Sequence, residues 1–298
     1  MSIPASQLET WSHQGSIAQS KQTYAIVKNA LEAANAPYTD RDFTVFLQGS
    51  YGNDTNIRAE SDVDVVIRYD GAYYSNLNAL SADEKVAYER QRSPATYSYD
   101  DFKKHVQTSL TSAFGNAVKP GTKAIKIEAG GSRRNADVVV AFQHRHYYRF
   151  APPWVDEFTP GISFFNSSGT RIDNFPNQHC ENLTTKHQAT GNLFKPAARI
   201  FKNMRSKLVD DKSIANGIAP AYYIEGLLYN VPDSNFVADQ SATVLNILEW
   251  LSETKDRTEF VCANKMHYLL RDGFPVCWPT ANGAQFINAL VNLWNKWP

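Results

Sequence analysis

The stretch Phe46-Leu-Gln-Gly-Ser-Tyr-Gly-Asn-Asp-Thr-Asn-Ile-Arg-Ala-Glu-Ser-Asp-Val-Asp-Val-Val-Ile67 decides how this chain is read. It ends one β-type run, Phe43–Leu47, at Gly49-Ser50, crosses a polar loop, and opens a second run, Val63–Ile67. In an extended strand residues i and i+2 project to one face, so Asp62 and Asp64 point together while Val63 and Val65 point into a core. Two bare carboxylates side by side repel. Divalent cations between them turn that cost into a binding site, and hard oxygen ligands on a rigid strand suit magnesium or manganese. Upstream, Gly49 lets the backbone approach a phosphate closely, and the Ser50 hydroxyl with the loop amides can donate to its oxygens.

A two-metal site needs a third carboxylate, and Asp137 is the candidate, because Ala136-Asp-Val-Val-Val140 is another buried-type strand with a single acid. A buried salt bridge from Asp137 to Arg133 or Arg134 is the competing reading. Working outward, residues 5–35 show helical spacing with Leu8, Trp11, Ile17, Tyr24, Ile26, Val27 and Leu31 on one side, closed by Pro37, which predicts one long N-terminal helix. Ser81–Phe114 opens with an N-cap and an acidic first turn but contains Pro94, so two helical pieces are expected. Further strands are expected at Ala124–Glu128 and Tyr147–Phe150, with Gly130-Gly131 as turn material. From about Asn177 the pattern turns helical, at Leu193–Leu208, Ala219–Tyr229, Ala242–Trp250 and Gln285–Trp294. The expectation is an α+β protein: a mixed-sheet lobe with its N-terminal helix over residues 1–170, and a helical lobe over residues 171–298.

With 298 residues and 43% hydrophobic content the chain can bury a large core, which excludes disordered and disulfide-stapled classes. Cys180, Cys262 and Cys277 lie far apart with no C-x-x-C pair, so reduced thiols are expected and a structural zinc site is not. The start, MSIPASQLETW, lacks a basic region followed by an apolar stretch, and no long apolar run follows, so a cytoplasmic protein without membrane association is expected. Thirty basic and thirty acidic groups cancel overall but not locally. Residues 1–100 carry 13 acidic and 8 basic groups, whereas residues 119–149 and residues 186–212 each carry 2 and 7. Either these are solvated faces of ordinary elements, or an anionic ligand is held between positive segments with metal ions balancing the acids.

The spacing G-S-x(11)-D-x-D with a later strand aspartate resembles the nucleotidyltransferases of the DNA polymerase β superfamily. More narrowly, Gln48-Gly-Ser-Tyr-Gly-Asn-Asp-Thr-Asn-Ile57, Ser61-Asp-Val-Asp-Val65, Gly121-Thr-Lys-Ala-Ile-Lys-Ile-Glu128 and Tyr222-Tyr-Ile-Glu-Gly-Leu-Leu-Tyr-Asn-Val-Pro232 are similar to the bacterial cGAS/DncV-like enzymes, the CD-NTases. The resemblance implies a polymerase β-like catalytic lobe with a long spine helix and a helical lobe. It implies condensation of nucleoside triphosphates into a cyclic di- or trinucleotide, or a linear oligonucleotide, with release of pyrophosphate. The product would activate an anti-phage effector in the system called CBASS, with accessory proteins as possible partners. Asp62, Asp64 and Asp137 would be the catalytic, metal-holding residues for two Mg2+ or Mn2+ ions, and Gly49 and Ser50 would contact the β- and γ-phosphates.

Lys195, Arg199 and Lys202 recur at helical spacing and share a face. The resemblance assigns a helical-lobe lysine to the departing pyrophosphate, and Lys202 is the choice, with Arg199 second. The ordinary reading of Lys202 is a solvated helix face. Family members often carry a serine before the Tyr222-Tyr223 pair, where this chain has Ala221. That leaves Tyr222 as a candidate for base stacking, against the ordinary reading of a core aromatic. His144 and His146 read as hydrogen-bonded sheet residues, and Lys119, Lys123 and Lys126 as the charged face of a strand rather than the seat of a nucleic-acid activator. Two other functions share these residues: nucleotidyl transfer to RNA, protein or a small molecule, and a non-catalytic module that senses a nucleotide. Base choice, linkage, product size, activating signal and oligomeric state are not encoded in these motifs.

Overall fold

A computed structural model describes residues 2–15, 17–58, 62–151 and 155–297. Ser61, which opens the Asp62 motif, lies outside the described residues. The chain forms two compact units that interleave along the sequence: Ala18–Gln48 with Asp62–Pro176, and Met1–Ile17 with Gly49–Ser61 and Asn177–Pro298. This differs from a linear division at residues 170 and 171. The first turns of the chain and the Gly49 loop bury Leu8, Asn53 and Thr55 within the helical unit.

The sheet unit is built around two strands, β2 (Val63–Asn76) and β5 (Ala136–Ala151), which pair in parallel. Strand β1 (Phe43–Leu47) lies antiparallel on the far edge of β2. On the other side of β5, β4 (Ile125–Ile127) pairs with its start and β3 (Val118–Pro120) follows, while β6 (Val155–Phe165) pairs with its later part and carries β7 (Arg171–Asn174). Val63, Val65, Val66, Ile67, Val138 and Ala141 are buried without residual exposure, so the valine-rich pattern reads correctly as a core. Residues 136–151 form one strand where the sequence suggested two. The polar residues in its middle are satisfied by tertiary partners: His144 Nδ1 lies 3.1 Å from Ser163 Oγ, and Arg145 stacks 3.9 Å from the Tyr73 ring centroid while donating to Gln143 Oε1. The expected hydrogen-bonded role of His144 is therefore seen.

Helix α2 (Ile17–Leu31) opens this unit, and two further helices connect β2 to β3. As Pro94 requires, they are separate: α4 (Ala82–Gln91) and α5 (Tyr99–Phe114), with α3 (Gly49–Gly52) being the short turn after β1. Ser81 and Glu84 form a capping box, each side chain bonded to the other's backbone N–H. Phe102, Val106 and Leu110 recur every four residues and bury that face of α5. Tyr99 Oη donates to Val140 O at 3.0 Å and accepts from Phe165 N at 3.2 Å, which ties the start of α5 to β5 and β6.

The helical unit packs around α7 (Phe194–Asp210), where Phe194, Ala198, Phe201 and Met204 are fully buried. Its other helices are α1 (Ala5–Ser12), α6 (Pro176–Ala189), α8 (Ala221–Tyr229), α9 (Gln240–Glu253) and α10 (Thr280–Asn295). Leu8 of α1, Leu227 and Leu228 of α8, Ile247 and Leu251 of α9, and Phe286 and Leu290 of α10 join one core with α7. Trp278 stacks on Tyr223 at 5.7 Å and donates its indole N–H to Ile218 O. The long N-terminal helix expected over residues 5–35 is two helices, α1 and α2, broken at His13–Gly15. Gly15 explains the break: its N–H donates to Asn56 O at 3.1 Å, and a Cβ there would meet the Ile57 carbonyl at 2.8 Å, too close for any other residue. No helix among the described residues is long and apolar enough to cross a membrane.

Phe201 has no exposed surface at the centre of this core. Phe201→Ala is expected to cost about 3–5 kcal/mol, a lost ring plus an unfilled cavity, and to lower the thermal melt of the helical unit. A melt unchanged within error would show that α7 does not anchor it.

Candidate active site

The acidic residues belong to the sheet unit. Strands β2 and β5 run parallel with Val63 opposite Ala136, Asp64 opposite Asp137 and Val65 opposite Val138. Residues paired in register point to the same face, so Asp64 and Asp137 stand side by side while the valines on either side are buried beneath them. Asp62, exposed just ahead of β2, lies two residues before Asp64 and so on its side of the chain. Gln48, the last residue before the glycine, donates its N–H to Asp64 O at 3.0 Å and fixes where β1 hands over to the loop.

Asp137 is half-buried, and burial raises its pKa; opposing this, Lys126 lowers it, and the nearby Asp62 carboxylate raises it again. Lys126 is the register partner of Asp137 across β4, an assignment the sequence reading missed because it looked to the adjacent arginines. Arg133 instead donates to Glu128 O at 2.6 Å and covers the Phe114 ring. Lys126 itself stands exposed between buried Ile125 and Ile127, the charged strand face that was expected. Among the described residues no three histidine, cysteine, aspartate or glutamate side chains are closed into a ready metal cluster. The donor set nonetheless fits a hard divalent cation. It offers carboxylate oxygens on adjacent rigid strands, and the repulsion between Asp62 and Asp137 is the cost that a cation between them would remove.

The glycine–serine loop belongs to the helical unit. Gly49 has φ +69°, a conformation that strongly favours glycine, and starts the short helix α3 in which Ser50 sits. The cationic face of α7 turns onto this loop. Lys195 Nζ lies 3.2 Å from Asp54 Oδ2; Arg199 donates Nη1 to Asp54 O at 2.6 Å and Nε to Ser12 O; Lys202 donates Nζ to Ser50 Oγ at 2.8 Å and to Thr55 O and Oγ1, each at 3.1 Å. The shared face read from their spacing is thus real, and the ordinary reading of Lys202 as a solvated helix residue is overturned, since it is 0% exposed. In this structure Lys202 and Arg199 bond the loop itself.

Lys202 is neutralised by Glu225 of α8, with Nζ to Oε1 at 2.8 Å. Burial would raise the Glu225 pKa, but Lys202 and a 2.6 Å bond from His179 Nε2 overcome it and hold the carboxyl well below the usual range. Glu225 also accepts from Thr55 Oγ1, and from Asn53 Nδ2 at 3.3 Å. Neither His179 nor Glu225 was singled out from the sequence. Glu225 carried a signal, an acid inside the apolar run Ile224 to Leu228; His179 carried none. Tyr222 stacks one ring face on His179 at 4.7 Å and accepts from Asn264 Nδ2 at 2.9 Å, so one side of the proposed base platform is occupied by the protein.

Residues 181–295 match the family described as the cGAS/DncV-like nucleotidyltransferase C-terminal helical domain. Over the whole of both chains the protein is 35% identical to the cyclic nucleotide synthase CdnE01 of Staphylococcus haemolyticus. It is 36% identical to the cyclic UMP-AMP synthase of Rhodothermus marinus, covering 100% of this chain and 99% of that one. The structure of the Rhodothermus marinus enzyme with Apcpp and Upnpp superimposes with a TM-score of 0.86 at 35% identity, covering 99% of this chain and 97% of that one. That of the Elizabethkingia meningoseptica CdnE cyclic dinucleotide synthase with GTP and Apcpp gives 0.77 at 28% identity, covering 98% of each. Full-length identity at this level establishes that the protein belongs to the cGAS/DncV-like nucleotidyltransferases, the CD-NTases, and is a nucleotidyltransferase.

Proposed function

We propose that this enzyme condenses nucleoside triphosphates into a cyclic di- or trinucleotide, one pyrophosphate leaving for each linkage made, and that the product signals to an anti-phage effector. The observation that carries the reading is the β2–β5 register that stands Asp64 beside Asp137, in a chain whose full-length relatives are named cyclic nucleotide synthases. In each round a ribose hydroxyl oxygen bonds to the α-phosphorus of a donor triphosphate. The bond from that phosphorus to the bridging oxygen breaks, pyrophosphate departs with the electron pair, and the hydroxyl proton passes to solvent.

Asp62 and Asp64 would hold both divalent ions, and Asp137 would complete the shell of the one nearer the attacking hydroxyl. Magnesium or manganese bound there would supply neutralisation of the triphosphate and acidification of the hydroxyl. Asp137 suits that task because burial and Asp62 both raise its pKa against the one opposing cation, Lys126, seen among the described residues. Gly49 and Ser50 would meet the β- and γ-phosphates through loop amides and the serine hydroxyl. Lys195, Arg199 and Lys202 keep that loop in place against the helical core. Tyr222 would offer the ring face opposite His179 to a base. The substrates would be ribonucleoside triphosphates, and accessory proteins of the defence system are further proposed partners.

Incubation with the four ribonucleoside triphosphates and magnesium or manganese is expected to release pyrophosphate and leave a phosphatase-resistant product whose mass identifies the ring. Extension of labelled RNA without any small cyclic product would replace this reading, and no pyrophosphate with either metal would end it. Asp62→Asn, Asp64→Asn and Asp137→Asn are each expected to lower the rate by about 10³-fold, since each removes a share of several kcal/mol of charge stabilisation. Rates near that of the unmodified enzyme would remove the acids from the chemistry. EDTA is expected to abolish turnover and excess Mg2+ or Mn2+ to restore it; turnover that persists in EDTA would exclude the metal-held arrangement.

A further inference from the structure

The helical unit contains a buried polar cluster that phosphate binding by a glycine–serine turn does not by itself require. Lys202 is 0% and Glu225 is 2% exposed, and His179 is 3% exposed. A buried ion pair is seldom the most stable way to fill such a space, because desolvating both charges offsets most of their attraction. His179 Nδ1 adds to the cost, being buried without a hydrogen-bond partner. The cluster is therefore expected to do something that apolar packing could not.

We propose that Glu225 and His179 are positioning residues that act through Lys202 to hold the Ser50 hydroxyl as a hydrogen-bond donor toward a substrate triphosphate. The proposal rests on the reading that the enzyme uses nucleoside triphosphates. An ammonium has three hydrogens and no lone pair, so each of its bonds is donated, and with four acceptors around Lys202 Nζ at least two of them share a hydrogen. Ser50 Oγ accepts from Lys202 at 2.8 Å, which occupies a lone pair of the hydroxyl and leaves its own hydrogen to be given away. A serine fixed in that sense presents a proton to an anionic oxygen and makes a poor acceptor for water or a neighbouring amide. Lys202 can be held in this role only if its charge is balanced in the core, and Glu225 Oε1 does so at 2.8 Å. The other oxygen of the same carboxylate is pinned by His179 Nε2 at 2.6 Å and Asn53 Nδ2 at 3.3 Å, so it cannot rotate away from the lysine. Thr55 Oγ1 donates to Glu225 and accepts from Lys202, which closes the cluster onto the far end of the loop. Ser50, Asn53 and Thr55 are thus all tied to one carboxylate, Ser50 by way of the lysine, and without its negative charge the buried ammonium would lose the partner that holds it against Ser50.

The test is a double-mutant cycle read in kinetics. Initial rates of pyrophosphate release from an equimolar mixture of ATP, GTP, CTP and UTP with Mg2+ are measured against concentration for the wild type, Ser50→Ala, Glu225→Gln and the double variant. Each single variant is expected to raise the half-saturating concentration about tenfold, as for loss of a hydrogen bond to a charged group, with a smaller change in maximal rate. The double variant is expected to be no worse than the poorer single one, because both remove the same contact. Multiplying effects, or unchanged kinetics in Glu225→Gln, would overturn the proposal and leave a purely structural ion pair. Should Glu225→Gln fail to fold, His179→Gln and His179→Leu decide: the glutamine, which keeps a donor in reach of Glu225, is expected to stay near wild type while the leucine raises the half-saturating concentration. Equal losses in both would count against it. A wild-type enzyme that releases no pyrophosphate ends the functional reading and this proposal together, whereas multiplying effects in an active enzyme end this proposal alone.

Discussion

Strand β2 lies parallel to β5, and the acidic face of the sheet unit exists only because of that pairing. The register is set by buried apolar pairs, Val65 with Val138, Val66 with Val139 and Ile67 with Val140, which leave no room for slippage. Sliding β5 by one residue would turn Asp137 into the core and put Val138 in its place opposite Asp64. Parallel strands also need a long connection. Here it runs through α4, α5, β3 and β4, and Phe102, Val106 and Leu110 of α5 pack it down. Strand β4 then returns antiparallel beside β5 and delivers Lys126 opposite Asp137. One pairing thus places two acids and, through its crossover, the cation that faces one of them.

The two units treat buried carboxylates in opposite ways. In the sheet unit Asp137 is only partly compensated, and burial with the nearby Asp62 raises its pKa. In the helical unit Glu225 is almost fully desolvated, yet Lys202 and His179 hold it ionised. A carboxylate left short of positive charge is suited to receive a cation, and one already satisfied is suited to hold its neighbours still. The same residue chemistry serves as ligand in one place and as scaffold in the other, with the number of local donors as the difference.

Much of the candidate site is legible in the sequence. The period of two put Asp62 and Asp64 on one side, the lone acid among valines marked Asp137, and the spacing of Lys195, Arg199 and Lys202 gave their common face. Strand β1 was bounded correctly, and Ser81 and Pro94 placed the break between α4 and α5. Other features were hidden. Strand β6 contains Pro160 and Gly161, which by propensity argue for a turn, and Gly161 is needed there because a Cβ would meet Asn174 O at 2.6 Å. The continuity of β5 was hidden too: the sequence marks Ala136–Val140 and Tyr147–Phe150 as separate runs, and the polar residues between them find their partners in Ser163 and Tyr73.

The sequence by itself therefore determined the identities and local faces of the chemical groups, because strand alternation, helix period and capping act within about ten residues. Tertiary structure alone decided which groups meet. That the first helix breaks at Gly15 depends on the backbone of Ile57. That Ser50 is held by Lys202, 152 positions away, and Lys202 by Glu225, depends on a core that local pattern cannot see. The reason is energetic: a buried polar side chain is tolerable only when its partners are present, and those partners come from whichever distant segments the packing of apolar faces brings alongside.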